Sequence, residues 1–418
     1  MTHSNRRNRT RVGTAIGLTA ALTALVGCAG GSGATGESGA EGALDLYTWI
    51  SSESDTAQWE SFVSLGQKED PDLDISISGP SFNDYWTKVK TRLSGNNPPC
   101  LLTTQAPRAK ELEALLMPLD DIIEAQDFDV SVLNEAMMDG MTVDGTIRGI
   151  PYDAEPYVMF YNADAFAEAG LEAPTTEYSR DQFIADAQAL TTDDHKALAL
   201  SNNWAYMNAW SIADEVTPVT DDTLTITSPE HVEQMQSYFD LVREYGLADA
   251  PGPADDQAVS QQRFISGASD MIIDGPWMHG TFTDAVDFTL GITNIPSTSG
   301  DPHAMIDGSG FAIASNCDNP DAAFEAIVAM TSTSVQEAQA AKRGIIPSRI
   351  EALPAWAEGK PEAAAELIDI LLKNSTVSAT SPNWNQVDTL FRQYAIDGFR
   401  GNMSAAEIAE TIQSAAGE

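Results

Sequence analysis

The chain reads as an α/β protein on two observations. Short apolar runs with period-two alternation take turns with segments of helical periodicity, and 43% of the residues are hydrophobic, enough to bury cores. The alternating run Leu44-Asp45-Leu46-Tyr47-Thr48-Trp49-Ile50 predicts a first strand. Residues 51–70 follow as a helix, with Trp59, Phe62, Val63 and Leu65 as its apolar positions. Leu73, Ile75 and Ile77 alternate over 72–78, a second strand closed by Gly79-Pro80. A helix is expected over 83–94, with Tyr85, Trp86, Val89 and Leu93 on one face, and a short strand at Leu101-Leu102. This βαβαβ succession implies a mostly parallel sheet covered by helices. Residues 157–161, YVMFY, form a continuous apolar run, as strands buried on both faces do. Helices are expected at 163–169, 180–190, 229–245 and 256–266, and strands at 270–273, 288–292 and 310–314. From Asp318 onward the chain is mainly helical, over 320–331, 334–342, 361–373, 384–398 and 404–415.

The 418 residues correspond to roughly two to three domain-sized units. They carry 22 Lys+Arg against 62 Asp+Glu, a formal net charge of −40. That balance excludes a nucleic-acid binder, which needs a basic stripe, and a protein held electrostatically on anionic lipid.

Arg6, Arg7, Arg9 and Arg11 precede an uncharged run from Val12 to Val26, the pattern of an export signal and too short to span a bilayer. The run ends in Leu25-Val26-Gly27-Cys28, which resembles a bacterial lipobox, with cleavage after residue 27 and lipidation of Cys28. The Arg6-Arg7 pair leaves general secretion and twin-arginine export both open. Cleavage would remove four Arg and no acid, taking the net charge from −40 to −44. Residues 28–43, rich in Gly, Ala and Ser, read as a flexible tether. Besides Cys28 only Cys100 and Cys317 occur; their spacing leaves a disulfide and two free thiols equally open. The chain calls for no metal and no cofactor: HExxH, GxxxxGK[ST] and GxSxG are absent, and Gly308-Ser309-Gly310 lacks the third Gly of a dinucleotide loop.

Several Trp and Tyr residues stand in polar, turn-rich settings instead of apolar runs. Trp49 precedes Ser51-Ser52-Glu53; Trp204, Tyr206 and Trp210 lie in SNNWAYMNAW; Trp277 is in DGPWMHG and Trp384 in SPNWNQ. Sugars present apolar C–H faces and a rim of hydroxyls, so a site for them needs aromatic platforms with amide, carboxylate and Arg groups beside them.

FNDYWTKVKTRLSGNNPP, GTIRGIPYDAEPYVMFYNADAFAEAGL, RFISGASDMIIDGPW, AAKRGIIPSR and PNWNQVDTLFRQYAIDGFRGNMSAAEIAETIQ, in that order, resemble the carbohydrate-type extracellular solute-binding proteins of ABC importers, the group that includes maltose-binding protein. The resemblance spans nearly all of 44–418. It implies a two-lobed, periplasmic-binding-protein-like α/β fold: each lobe a mostly parallel sheet flanked by helices, joined by a multi-stranded hinge. The lobes implied are 44–153 plus 303–350 and 154–302 plus 351–418. By resemblance Glu155 holds sugar hydroxyls near the hinge, Tyr206 and Trp277 stack on sugar rings, and Arg108 is a cleft arginine. Trp204 falls where maltose-binding members have an acid, and Pro107 replaces the Asp that precedes the cleft arginine, which argues against maltose itself. Trp49 and Glu53 lie where the family's cleft begins, Asp307 and Ser309 at the return crossover, and Trp384 with Asn385 complete the candidate ligand-binding set.

The function implied is a monomeric, non-enzymatic receptor. It is tethered through Cys28 to the outer face of the cell membrane, captures a sugar (an oligosaccharide) and delivers it to an ABC permease. A surface sensor or adhesion lipoprotein on the same scaffold and a secreted glycoside hydrolase using Glu155 stay open as alternatives. The cleft is expected to be aromatic and amide-rich, with the acid excess coating the outside.

Overall fold

The computed structural model describes residues 44–417 except 96, 222, 254, 256 and 379; the export signal, the lipobox at Cys28 and the tether lie outside the described residues. One five-stranded sheet runs in the order Ile75–Ser78, Leu44–Tyr47, Leu101–Gln105, Ser309–Ile313, Ile150–Pro151. Its first three strands are parallel, as the βαβαβ reading required; Ser309–Ile313 is antiparallel to both of its neighbours, so Ile150–Pro151 runs in the direction of the first three. Leu44, Leu46, Leu101, Phe311 and Ile313 face a core with the helices Glu53–Glu69 and Pro320–Met330; Leu102 and Ala312, at alternate positions, face a second core with Phe82–Leu93. Cys100 and Cys317 are disulfide-bonded, with Cα atoms 4.7 Å apart. The antiparallel register of Leu101–Gln105 on Ser309–Ile313 brings their ends together and decides what spacing left open.

The second sheet has the order Leu290–Thr293, Val158–Asn162, Met271–Asp274, Leu198–Ala199. Its central strand has Met159 and Tyr161 in one core and Val158 and Phe160 in another. Both faces are therefore covered, the physical reason its sequence shows no polar alternation. This sheet is mixed where a mostly parallel one was expected: Val158–Asn162 is antiparallel to both neighbours. The chain enters this layer from the hinge along Val158–Asn162, with no helical crossover to reset its direction.

Between the two lies a three-stranded hinge sheet, Ser375–Val377, Ala304–Asp307, Glu155–Pro156. It holds the crossings from Ile150–Pro151 into Val158–Asn162 and from Leu290–Thr293 back into Ser309–Ile313. The helices Trp384–Arg400 and Ala405–Ala416 close the chain against the second sheet's core. No described helix is long and apolar enough to cross a membrane.

Candidate functional site

The hinge strands place carboxylates face to face. Asp307 is the direct antiparallel partner of Glu155. Side chains so paired leave the same face, with Cβ atoms about 4.5–5.5 Å apart, and like charges there repel. Asp153 stands two residues before Glu155, accepts the Ser309 backbone N–H, and bridges to Pro347. Tyr157, two residues after, gives its hydroxyl to Asp307. Glu155 Oε1 accepts the Ile346 N–H at 3.1 Å. Glu155 Oε2 and Asp307 Oδ1 are buried and meet no hydrogen-bond partner. Burial, then the Asp153 charge, raises the Glu155 carboxyl well above its usual range; burial, then the charge of Asp307 working against the Ser309 bond, raises Asp153. Burial pushes Asp307 up to about 7, against the Tyr157 bond and the nearby Arg108 charge.

Tyr206 and Trp277 converge on this group through Tyr157. The Tyr157 ring meets Trp277 edge-on at 5.3 Å and Tyr206 at 6.0 Å. Trp277 sits in a short turn, Pro276–Met278, and a Cβ on Gly275 would come within 1.9 Å of its ring, so only glycine admits the indole there. Trp277 stays partly exposed, whereas Tyr206 is buried and donates its hydroxyl to Asp274 at 3.2 Å. Asp274 also accepts from Gly275 N and Gln261 Nε2, at 2.8 and 2.9 Å. Burial still lifts it to about 6, against those three bonds.

From the first sheet, Trp49 projects beyond its strand, half-buried, with the rings of Trp59, Phe82 and Tyr85 edge-on and that of Trp86 tilted, all within 5.9 Å. Arg108 lies over Trp86 at 4.9 Å and pairs with Glu111 at 3.1 Å, close enough for its charge to act on Asp307. Glu53 opens its helix on the exposed surface, and Asn385 is half-buried in the first turn of Trp384–Arg400.

Trp204 differs most from its sequence context. SNNWAYMNAW is not a loop: Asn203 caps the helix Trp204–Ile212, which is buried almost all round. Trp204, 2% exposed, stacks on His231 and meets Trp384, 4% exposed, edge-on at 5.7 Å. In this arrangement both indoles are core.

The structure thus brings Glu155, Asp307, Ser309, Tyr206, Trp277 and Arg108 to one place, puts Trp49 in an aromatic nest beside Arg108, and has Glu53 exposed at the start of its helix. It adds Asp153, Tyr157 and Asp274. Period-two spacing of Asp153, Glu155 and Tyr157 was the available signal for the first two, and the Asp-Gly-Pro-Trp run for the third. The expected amide-rich centre is corrected: carboxylates dominate it, because the hinge register stacks acids from separate segments. Among the described residues no three such groups could hold a metal ion.

Two α/β layers joined by crossing strands, with polar and aromatic side chains gathered at the joint, define a two-lobed ligand-binding protein. The chain belongs to the bacterial extracellular solute-binding protein family, whose pattern matches residues 66–367. It is 24% identical to the diacetylchitobiose-binding protein of Streptomyces coelicolor, over 90% of this chain and 89% of that one. It is 25% identical to a maltooligosaccharide ABC transporter solute-binding lipoprotein of Streptococcus pneumoniae, over 66% of this chain and 68% of that one. Its fold superposes with a TM-score of 0.80 on an ABC substrate-binding protein of Listeria monocytogenes solved with cycloalternan, at 20% identity, covering 90% of this chain and 97% of that one. The relatives are described as binding proteins, not enzymes.

Proposed function

We propose that this protein captures a carbohydrate, an oligosaccharide, at the hinge and delivers it to the permease of an ABC importer. The observation that carries the reading is the buried pair of unpartnered oxygens, Glu155 Oε2 and Asp307 Oδ1, within an aromatic setting of Tyr157, Tyr206 and Trp277. Ring faces take the apolar side of a sugar and carboxylates accept its hydroxyls. The names of the relatives, oligosaccharide binders of importers, support the same class.

The lobes, 44–153 plus 303–350 and 154–302 plus 351–418, close over the ligand because only the closed form touches it from both sides. No bond is made or broken. The receptor works as a monomer on the outer face of the membrane, held by lipid on Cys28. Calorimetry against a panel of mono- and oligosaccharides tests the ligand class: a saturable binding heat with at least one oligosaccharide is expected, and silence across the panel sinks the reading. Cys28→Ala should release the protein into the medium; continued membrane retention would refute the anchor.

A further inference from the structure

We propose that this protein carries a calcium site in a small cavity between the strand Leu198–Ala199, the helix Gln257–Ile265 and the loop that holds Asp249 and Asp255. The site stands apart from the sugar reading and does not depend on it. The cavity measures about 50 Å³, room for an ion and about two waters, and far below the roughly 300 Å³ at which pockets for organic ligands begin. Its polar wall is Ser201, Asn202, Asp249, Asp255, Ser260 and Arg263, and the remainder is apolar. Asn202 points to a ligand. It is 3% exposed, and its Oδ1 is buried without a hydrogen-bond partner. An amide oxygen in that state calls for a donor or a cation.

The rest of the polar wall narrows the choice, because its groups are acceptors or are already engaged. The Ser260 hydroxyl donates to Gln257 O at 2.8 Å, and Arg263 Nη2 holds Asp249 Oδ2 at 2.7 Å on the exposed rim. Asp255 Oδ2 accepts the Gly252 N–H at 2.8 Å, and Ser201 Oγ the Asn203 N–H at 3.2 Å. Among the described residues the second oxygen of each Asp has no donor from the chain. Ca²⁺ gathers roughly six to eight oxygens in a flexible cage, from carboxylates, amides and waters, whereas a single water gives its protons to two acceptors. No triad of His, Cys, Asp or Glu exists among the described residues, so the oxygen-only set with two carboxylates suits Ca²⁺ and not zinc. The Arg263 charge at the rim puts the affinity at the weak end of calcium modules, roughly 0.1 to 1 mM. Bound there, the ion ties the loop to two elements that hold the sugar site. Asn203, next to Asn202, caps the helix of Tyr206, and Gln261, next to Ser260, donates to Asp274.

The test is a CaCl₂ titration of the chelator-washed protein, followed by calorimetry and by melting temperature. MgCl₂ at equal ionic strength reports the general relief of the chain's net charge of −40, since Mg²⁺ sheds its waters reluctantly. Expected are one saturable binding event for Ca²⁺ and a melting temperature a few degrees higher in about 5 mM Ca²⁺ than in Mg²⁺. In Asn202→Leu and in Asp255→Asn, each verified as folded by its melting transition, the calcium-specific rise should vanish while the magnesium effect stays. Calcium doing no more than magnesium in the wild-type protein, or either variant keeping the full rise, overturns the proposal. Sugar binding is read separately, so the sugar reading stands or falls on its own panel.

Discussion

Two buried carboxylate sites lie a few residues apart in space and differ in one respect. Asp274 takes three donors, from Tyr206, Gly275 and Gln261. The Glu155–Asp307 pair is as deeply buried around its carboxyl groups and yet keeps an unpartnered oxygen on each residue. The first is a closed network whose worth is structural: it ties the aromatic Tyr206 to the turn that carries Trp277. The second is left incomplete by the hydrogen bonds of the chain, and a retained proton, an ordered water or a ligand hydroxyl completes it. Equal burial and equal charge therefore do not mean equal role; the count of satisfied lone pairs separates them.

The sharpest way to break this contrast is Asp274→Ala. It strands the Tyr206 hydroxyl, the Gln261 amide and the Gly275 N–H, and should cost about 3 kcal/mol or more of stability. A shifted denaturant midpoint at unchanged slope would report it. A loss under 1 kcal/mol would mean that the network is not structural. Next in size, Glu155→Gln should weaken sugar binding by roughly 10- to 100-fold, the loss of a charge-assisted hydrogen bond. Stability should hold or rise, because burial disfavours the charged form of Glu155 and Gln keeps its shape without it. A large fall in melting temperature with unchanged affinity would reverse the two roles.

The smallest effect is in the pH dependence. Asp274 and Asp307 have folded-state values raised from 3.8 to about 6 and about 7. For groups raised on folding, the unfolded chain loses its protons first as pH climbs. Their contribution is then full below 3.8 and disappears as pH rises through about 6 to 7. The unliganded protein should thus melt at higher temperature at pH 5 than at pH 8. Relief of the general negative charge acts in the same direction, so the discriminating measurement is Asp307→Asn. A melting-temperature profile no flatter than wild type would remove Asp307 from the account.

Much of the fold was legible before any coordinates. Period-two runs at 44–50 and 72–78 and the apolar run 157–161 became strands, and helical spacing over 51–70, 83–94 and 384–398 became helices, within a few residues at each end. These signals are local: they follow from which faces a segment must bury. The segment 201–210 misled because three Asn looked like a loop, whereas Asn203 is a cap and Asn208 is buried, donating to Ser378 at 3.1 Å. Composition alone cannot tell a capped, buried helix from a turn.

By itself the sequence determined the α/β class, the kind and order of elements and the residue types that a sugar site requires. Each of these depends on neighbours a few positions apart. Only tertiary structure decided that Cys100 meets Cys317, that Trp204 and Trp384 are packed together, and that Asp307 lands opposite Glu155. Those facts depend on register between strands far apart in the chain. A shift of one residue would turn Asp307 to the other face of its sheet and dissolve the carboxylate pair.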